Sequence, residues 1–338
     1  MLVIHASNVN EALPLGMMHL KTTGVRVPSR VGATIEYPFP VTTRYARPDQ
    51  CVLFDPERDA NPFFHFFEAL WILHGAQDVA SLSWFLPRIK DFSDNGQTFH
   101  GAYGYRLREA FGFDQIEEVI RMLRRDPGTR RAVVSIYHPS HDLNTDSKDI
   151  PCNDMVMFSI RQGKLNMTVC NRSNDVIWGA YGANAVQFSF LMQYVAAGVG
   201  VGLGAYYQVS NSYHVYEDNP YWQFCKAREG TNFTYPYRDI NMTSMKGSMD
   251  KPEHIREDLQ TLFWAVSKAA SGELVGAEHR NTLIEHTAAP MLQAYYFYRA
   301  GDYPTAMLSA EQIAAADWRA GCKNWLNRRK FAKGGTQP

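Results

Sequence analysis

The 338-residue sequence has little cysteine: Cys51, Cys152, Cys170, Cys225 and Cys322 are odd in number and widely spread. No two stand at the close spacing of a zinc site, and a disulfide framework is not expected in so large a chain, so neither a structural nor a catalytic metal is expected. Net charge is absent as well, with 34 basic side chains against 34 acidic ones. No stripe combines basic and aromatic residues. Broad binding to nucleic acid or to an anionic membrane is thereby disfavoured, although a local basic cluster remains able to grip one small anion. No window approaches the roughly eighteen uninterrupted apolar residues of a membrane span. The start, "MLVIHASNVNEALPLGMMHLK", lacks a basic segment followed by an apolar run, so no signal peptide is expected. Internal repeats and low-complexity linkers are also missing. The expectation is a soluble protein of a reducing cytoplasm, long enough for a sizeable core.

What is present alternates between two periodicities. "NPFFHFFEALWILHG" carries apolar residues at helical spacing, opens on Asn61-Pro62 and stops at Gly75. "FDQIEEVIRMLRRDPG" places Ile116, Val119, Ile120 and Leu123 on one helical face. "RRAVVSIYHP", "DMVMFSIRQG" and "KLNMTVCNRS" read as strands, with Gly163 at the turn between the last two. An apolar helix, "GANAVQFSFLMQYVAAGVGVGLG", precedes another strand, "GAYYQVSNSYHVY". Strands interleaved with helices in this way predict an α+β, or mixed α/β, domain. After about residue 220 two aromatic-rich loops lead into "PEHIREDLQTLFWAVSKAASG" and further helices. The chain is accordingly divided into a core over 1–225 and a mostly helical extension over 226–338, packed on the core, with a frayed tail after about 328.

Several short stretches carry chemical possibilities that spacing alone leaves open. Cys152 sits between Pro151 and the polar pair Asn153-Asp154, where a thiol is either an inert small hydrophobe or a nucleophile. Twenty residues later Arg172 and Ser173 stand side by side in "NRSND"; an arginine fork and a hydroxyl suit a phosphate, and equally suit a solvated turn. Arg130 and Arg131 form either a surface pair or half of an anion clamp. His214 and Tyr216 share one face of a strand, as sugar-binding groups or satisfied core groups. Glu68 lies inside an apolar helix, where an ionised carboxylate is costly.

The order of these stretches resembles the thymidylate synthase family, which includes the pyrimidine nucleotide hydroxymethylases. The motifs are "SRVGATIE" with Arg30, "FFEALWILHG" with Glu68, "NGQTFHGAYGYRLR" with Tyr103, "DPGTRRAVVSIY", "IPCND", "NRSND" and "QVSNSYHVY", spanning roughly residues 25 to 220. The resemblance implies a large sheet at a dimer interface, covered by helices. It also implies attack of a cysteine thiolate on carbon 6 of a pyrimidine nucleotide monophosphate, with 5,10-methylenetetrahydrofolate as one-carbon donor at carbon 5. Residue by residue, Cys152 is the implied nucleophile, with its pKa lowered by Arg172. Arg30, Arg172 and Ser173 bind phosphate, and Arg130 and Arg131 reach over from the partner of a homodimer. Asp175 contacts the base, His214 and Tyr216 the sugar hydroxyl, and Glu68 and Tyr103 handle protons through water.

Departures from the pattern bear on the product. Asn153, counted with the catalytic residues, follows the nucleophile where the family usually has histidine. "WGAYGANAVQ" holds one extra residue before the base-reading asparagine, placed at Asn184 with Gly182-Ala183 taking up the insertion. The segment from Trp84 to Asn95 lacks the family's folate-lining tryptophans and offers Ile89 and Phe92. The helical extension replaces a short apolar closing tail. Excluding water from the methylene intermediate requires a closed apolar lid, so its missing parts favour hydroxymethylation over methylation. An asparagine amide matches a uracil edge, which points to dUMP giving 5-hydroxymethyl-dUMP. The alternatives are a thymidylate synthase, a dCMP or CMP hydroxymethylase, and an inactive nucleotide-binding homologue.

Overall fold

A computed structural model of the protein describes residues 1–230, 234–239 and 252–333. Among the described residues eight strands form one mixed sheet: β1 (Leu2–Ala6), β2 (Val25–Ser29), β3 (Gly32–Glu36), β4 (Val41–Tyr45), β5 (Val133–Ser135), β6 (Asn153–Arg161), β7 (Lys164–Asp175) and β8 (Gly202–Tyr216). The order across the sheet is β1-β4-β8-β7-β6-β5, with β3 also paired to β8 and β2 to β3. β1 with β4 and β7 with β8 run parallel; the other pairs are antiparallel. The helices are α1 (Val9–Thr23), α2 (Pro62–His74), α3 (Ala80–Ser83), α4 (Tyr103–Arg108), α5 (Gln115–Arg125), α6 (Pro139–Asp142), α7 (Asn184–Val199), α8 (Pro220–Ala227), α9 (Pro252–Ala270), α10 (Ala289–Ala300), α11 (Tyr303–Glu311) and α12 (Ala316–Lys333). A mixed α/β fold is what the interleaved periodicities predict.

Local chemistry sets the key elements. The Asn61 side chain accepts from the Phe64 N–H at 3.2 Å, Pro62 supplies a fixed first-turn φ, and Gly75 ends α2 at φ 84°. Helix α2 is apolar nearly all round and is buried all round, the condition expected of a central helix. β6 and β7 form a hairpin whose two turn residues, Gln162 and Gly163, both take positive φ, which matches strand twist. Along β7, Leu165, Met167 and Val169 face the core while Asn166, Thr168 and Cys170 stay half-buried on the other face. That second face, with exposed Met155 of β6, lies uncovered in the single chain.

The extension shares the core of the sheet domain. Trp318 of α12 meets Phe66 of α2 at 4.9 Å between centroids, and Phe63 packs on both Tyr295 and Trp325. The Tyr295 hydroxyl donates to the carbonyls of Trp84 and Phe85, and Arg299 donates to Trp84 O at 2.6 Å. Helix α12 runs to Lys333, past the point near residue 328 where fraying is expected: Arg328 and Arg329 both grip Asp59, and Arg329 also stacks on Trp325 at 3.9 Å. The strand expected over "RRAVVSIYHP" shrinks to Val133–Ser135, an edge strand with β6 as its neighbour. The aromatic-rich loops after residue 220 contain α8 and fall partly outside the described residues, as do the last five residues.

Candidate active site

The register of the β6–β7 hairpin closes the twenty-residue gap between thiol and arginine. Asn153 stands opposite Asn171, so the residue before one meets the residue after the other. The Arg172 N–H donates to Cys152 O at 3.0 Å. Its guanidinium wraps the loop, Nε donating to Pro151 O at 2.8 Å and Nη2 to Ile150 O at 2.9 Å, and Nη2 lies 3.8 Å from Cys152 Sγ. Arg172 therefore ties down the loop that carries Cys152 and sets a positive charge beside it.

The thiol is nonetheless held above its ordinary pKa, contrary to the lowering expected. Burial is the larger influence, and Asp149, Asp154 and Asp175 add to it, together outweighing Arg172. Tyr103 is half-buried where it senses Cys152, Asp149 and Glu68, and desolvation raises its hydroxyl well above the usual range. Glu68 is pushed up to about 8 by burial, opposed by a hydrogen bond with Gln187. Its Oε2 has no protein partner. Burial thus holds Glu68 toward its neutral acid form.

Parallel pairing of β7 with β8 assembles the rest. Ser173 lies opposite Ser212 and Asp175 opposite His214. His214 and Tyr216 stand edge to face, 5.6 Å between centroids, with Nδ1 of His214 3.1 Å from Ser212 Oγ. Tyr216 is raised first by burial and then by the charges of Asp175 and Cys152, while Arg30 lowers it. These side chains thus converge from β3's turn, β7, β8 and the nucleophile loop. Asp175 Oδ1 accepts from the N–H groups of Ile177 and Trp178 at 2.8 and 3.0 Å, and burial raises this carboxyl as well. It caps a π-helical segment, Val176–Ala183, in which Gly182 breaks from helical angles. A π turn is the form that one inserted residue takes in a helix, and it delivers Asn184 to the head of α7 with Nδ2 3.1 Å from Asn174 Oδ1.

Other expected residues are placed differently. Asn153 is fully buried at the start of β6, its amide nitrogen donating to Asn171 Oδ1 and its own Oδ1 without a partner among the described residues. Arg130 and Arg131 are exposed ahead of β5. Ala132 O accepts from Phe158 N–H, and six residues of β6 from there to Cys152 span about 20 Å. One chain does not bring these arginines to its own thiol. Ile89 is buried in the core and Phe92 is exposed. The aromatic surface beside Asp175 belongs to Trp178, half-buried with the Arg88 guanidinium 5.1 Å over its ring.

Three contributors were missed. Asp149, pushed up to about 6 mainly by burial, accepts from the Gly101 N–H at 2.7 Å. Gly101 itself admits no side chain: a Cβ there would fall 2.5 Å from Asp149 O. Gln187 holds Glu68. The glycine two residues before Tyr103 was the one available signal; the other two carry no local pattern. Among the described residues no group of three or more His, Cys, Asp or Glu is placed to hold a metal ion, and no helix is long and apolar enough to cross a membrane.

The sequence profile of the family described as thymidylate synthase matches residues 19–250, past the division drawn at 225. A protein of Pseudomonas phage M6 named deoxyuridylate hydroxymethyltransferase is 39% identical over 354 aligned residues, covering 98% of this chain and 95% of its own. A protein of the same name from Bacillus phage SP01 is 42% identical over 53% of this chain and 50% of its own. A putative thymidylate synthase of Methanothermobacter thermautotrophicus is 42% identical over 38% of this chain and 56% of its own. With the profile covering well over half of the sequence and one relative matching nearly end to end, the chain belongs to the thymidylate synthase family.

Proposed function

We propose that the protein is a dUMP hydroxymethylase, joining a one-carbon unit from 5,10-methylenetetrahydrofolate to carbon 5 of dUMP and completing it with water to give 5-hydroxymethyl-dUMP and tetrahydrofolate. The observation that carries this reading is the near-complete match to a protein named deoxyuridylate hydroxymethyltransferase, on a chain whose thiol, arginine and acid stand in one site. The folate supplies a methylene group at the oxidation level of formaldehyde.

Cys152 adds through sulfur to carbon 6, after losing its proton to a neighbouring base. The raised pKa of the free thiol means that addition is coupled to binding. Glu68, protonated at neutral pH, donates toward the carbonyl oxygen at carbon 4 as the ring becomes an enolate. Arg30, Arg172 and Ser173 hold the phosphate, with Arg130 and Arg131 of a second copy; the uncovered sheet face supports a homodimer, whose two copies would meet through the same patch. His214 and Tyr216 meet the sugar, and Asp175 and Asn184 the base. Asn184 Nδ2 is already engaged by Asn174, which orients the amide. Trp178, flanked by Arg88, offers the flat surface for the folate that Ile89 and Phe92 do not.

Incubating the enzyme with dUMP and methylenetetrahydrofolate and analysing products by mass spectrometry tests the reading. 5-Hydroxymethyl-dUMP without the absorbance rise of dihydrofolate is expected. A dominant dTMP product with stoichiometric dihydrofolate would overturn it, and turnover of dCMP in place of dUMP would overturn the reading of the base.

A further inference from the structure

The side chain three residues ahead of the nucleophile has no part in the reaction as described so far. Asp149 lies on the loop that ends in Cys152, fixed at both ends: its N–H donates to Ser147 Oγ at 3.1 Å and its Oδ2 accepts from Gly101 N–H at 2.7 Å. The close approach exists because residue 101 is glycine; a Cβ would meet Asp149 O at 2.5 Å, Pro151 N at 3.1 Å and Asp149 Oδ2 at 3.2 Å. Both Cys152 and the half-buried Tyr103 sense its charge. It is half-buried.

The other acids near the thiol are otherwise engaged. Asp175 Oδ1 caps two N–H groups. Asp154 acts on Cys152 as well as on Cys170, but it lies beyond the thiol at the start of β6, where Arg172 engages it through its charge and its main chain. Glu68, held by burial toward its acid form, serves the carbon 4 oxygen in the reading above. Water attack needs a base, and Asp149 is the carboxylate on the loop that leads into the thiol.

We propose that Asp149 is the general base that activates the water in the hydroxymethyl-forming step. This rests on the hydroxymethylase reading above. The covalent adduct, after loss of the folate, carries an exocyclic methylene at carbon 5 conjugated with the carbonyl at carbon 4. Water oxygen bonds to that methylene carbon while one water proton passes to the Asp149 carboxylate. The electron pair moves to the carbon 4 oxygen as an enolate, then returns to form the carbon 5–carbon 6 double bond as the carbon 6–sulfur bond breaks. Thiolate departs, and Asp149 releases its proton to solvent. Nothing is oxidised or reduced.

The groups facing Asp149 are His100 and Arg106, which favour its ionised form, and Asp94, Tyr103 and Cys152, which do not. Burial still leaves it titrating at about 6, so it is a base above that pH and a spent acid below.

Asp149→Asn and Asp149→Glu, compared with the parent enzyme, test the assignment. Asp149→Asn should still form the covalent complex with 5-fluoro-dUMP and methylenetetrahydrofolate, which also reports that it folds. It should still release tritium from 5-tritiated dUMP in a single turnover. Its yield of 5-hydroxymethyl-dUMP should fall by about 100-fold, the usual contribution of a general base. Added 2-mercaptoethanol should capture the stranded methylene as a thioether. Asp149→Glu should recover part of the rate, and the rise of the parent's product formation through about pH 6 should vanish in Asp149→Asn. Product formation by Asp149→Asn within about threefold of the parent, or a loss of tritium release in step with product, overturns the role of Asp149 while leaving the hydroxymethylase reading intact. Production of dTMP by the parent overturns that reading and the role with it.

Discussion

Trp318, on the last helix, meets Phe66, on the helix that carries Glu68, edge to face with ring centroids 4.9 Å apart. Phe66 and Glu68 point to opposite sides of α2, so one helix binds the extension with one face and presents the acid with the other. The extension thereby serves as the floor on which the catalytic helix rests. Trp318→Ala should cost about 3–5 kcal/mol, the range for emptying a buried aromatic site. Urea unfolding measures it; a loss below about 1 kcal/mol, typical of surface sites, would mean that α12 is only loosely attached.

Glu68 makes stability depend on pH. Its pKa in the fold, about 8, stands above the ordinary 4.5, so between those values unfolding releases a proton that the fold retains. Stability therefore falls as pH climbs through that window. Glu68→Gln keeps the shape and abolishes the titration. Its thermal midpoint should gain on the parent's as pH rises from 5 to 8, while turnover falls by about 100-fold or more. Parallel melting curves at all pH values would contradict the neutral acid.

Cys152→Ala should leave dUMP binding nearly intact, as measured by calorimetry, and abolish turnover, because the covalent route is removed. Cys170, half-buried on the uncovered face of the sheet, should tolerate Ala without such loss. Residual turnover of Cys152→Ala within tenfold of the parent would assign the nucleophile elsewhere.

Arg131 is expected to act on the partner's phosphate. Mixing Cys152→Ala with Arg131→Ala should restore part of the activity, since one hybrid site in a mixed dimer carries both residues. Each variant alone should be poor. If subunits exchange and no activity returns, the shared site is refuted.

Gly101→Ala should fold yet lose activity, because the new Cβ presses within 2.5 Å of Asp149 O and 3.1 Å of Pro151 N and moves the loop that ends in Cys152. A displacement near 1 Å is enough to cost about 100-fold. Unchanged kcat would show that the loop is more pliant than its hydrogen bonds suggest.

The elements were legible where a local signal was strong. Asn61-Pro62 and Gly75 bracket α2, Gly163 turns β6 into β7, and alternation along "KLNMTVCNRS" shows which side of β7 is buried. Motif order identified Cys152, Arg172, Asp175, Glu68, Tyr103, His214 and Tyr216 as candidates, because each motif is a short run of fixed composition. Which way the Asn153 side chain turns was not legible, because the position after Cys152 says nothing about it; a bulge between Asn153 and Met155 and the reach of Asn171 decide that. Ile89 and Phe92 were assigned by position alone, and burial separates them.

What the sequence determined by itself is the inventory and its connectivity: which residues can be helix, strand or turn, and which chemical groups are available, since these follow from propensity, periodicity and residue type. Tertiary structure alone decided the balance of charges. Whether Arg172 lowers the Cys152 thiol depends on burial and on three carboxylates drawn from residues 149, 154 and 175, and no local pattern reports the sum. The same holds for Glu68 as a neutral acid, for Asp149 beside the thiol, and for the extension as part of the core. Desolvation and Coulomb interaction depend on distance through space, and chain order fixes that distance only after the sheet has closed.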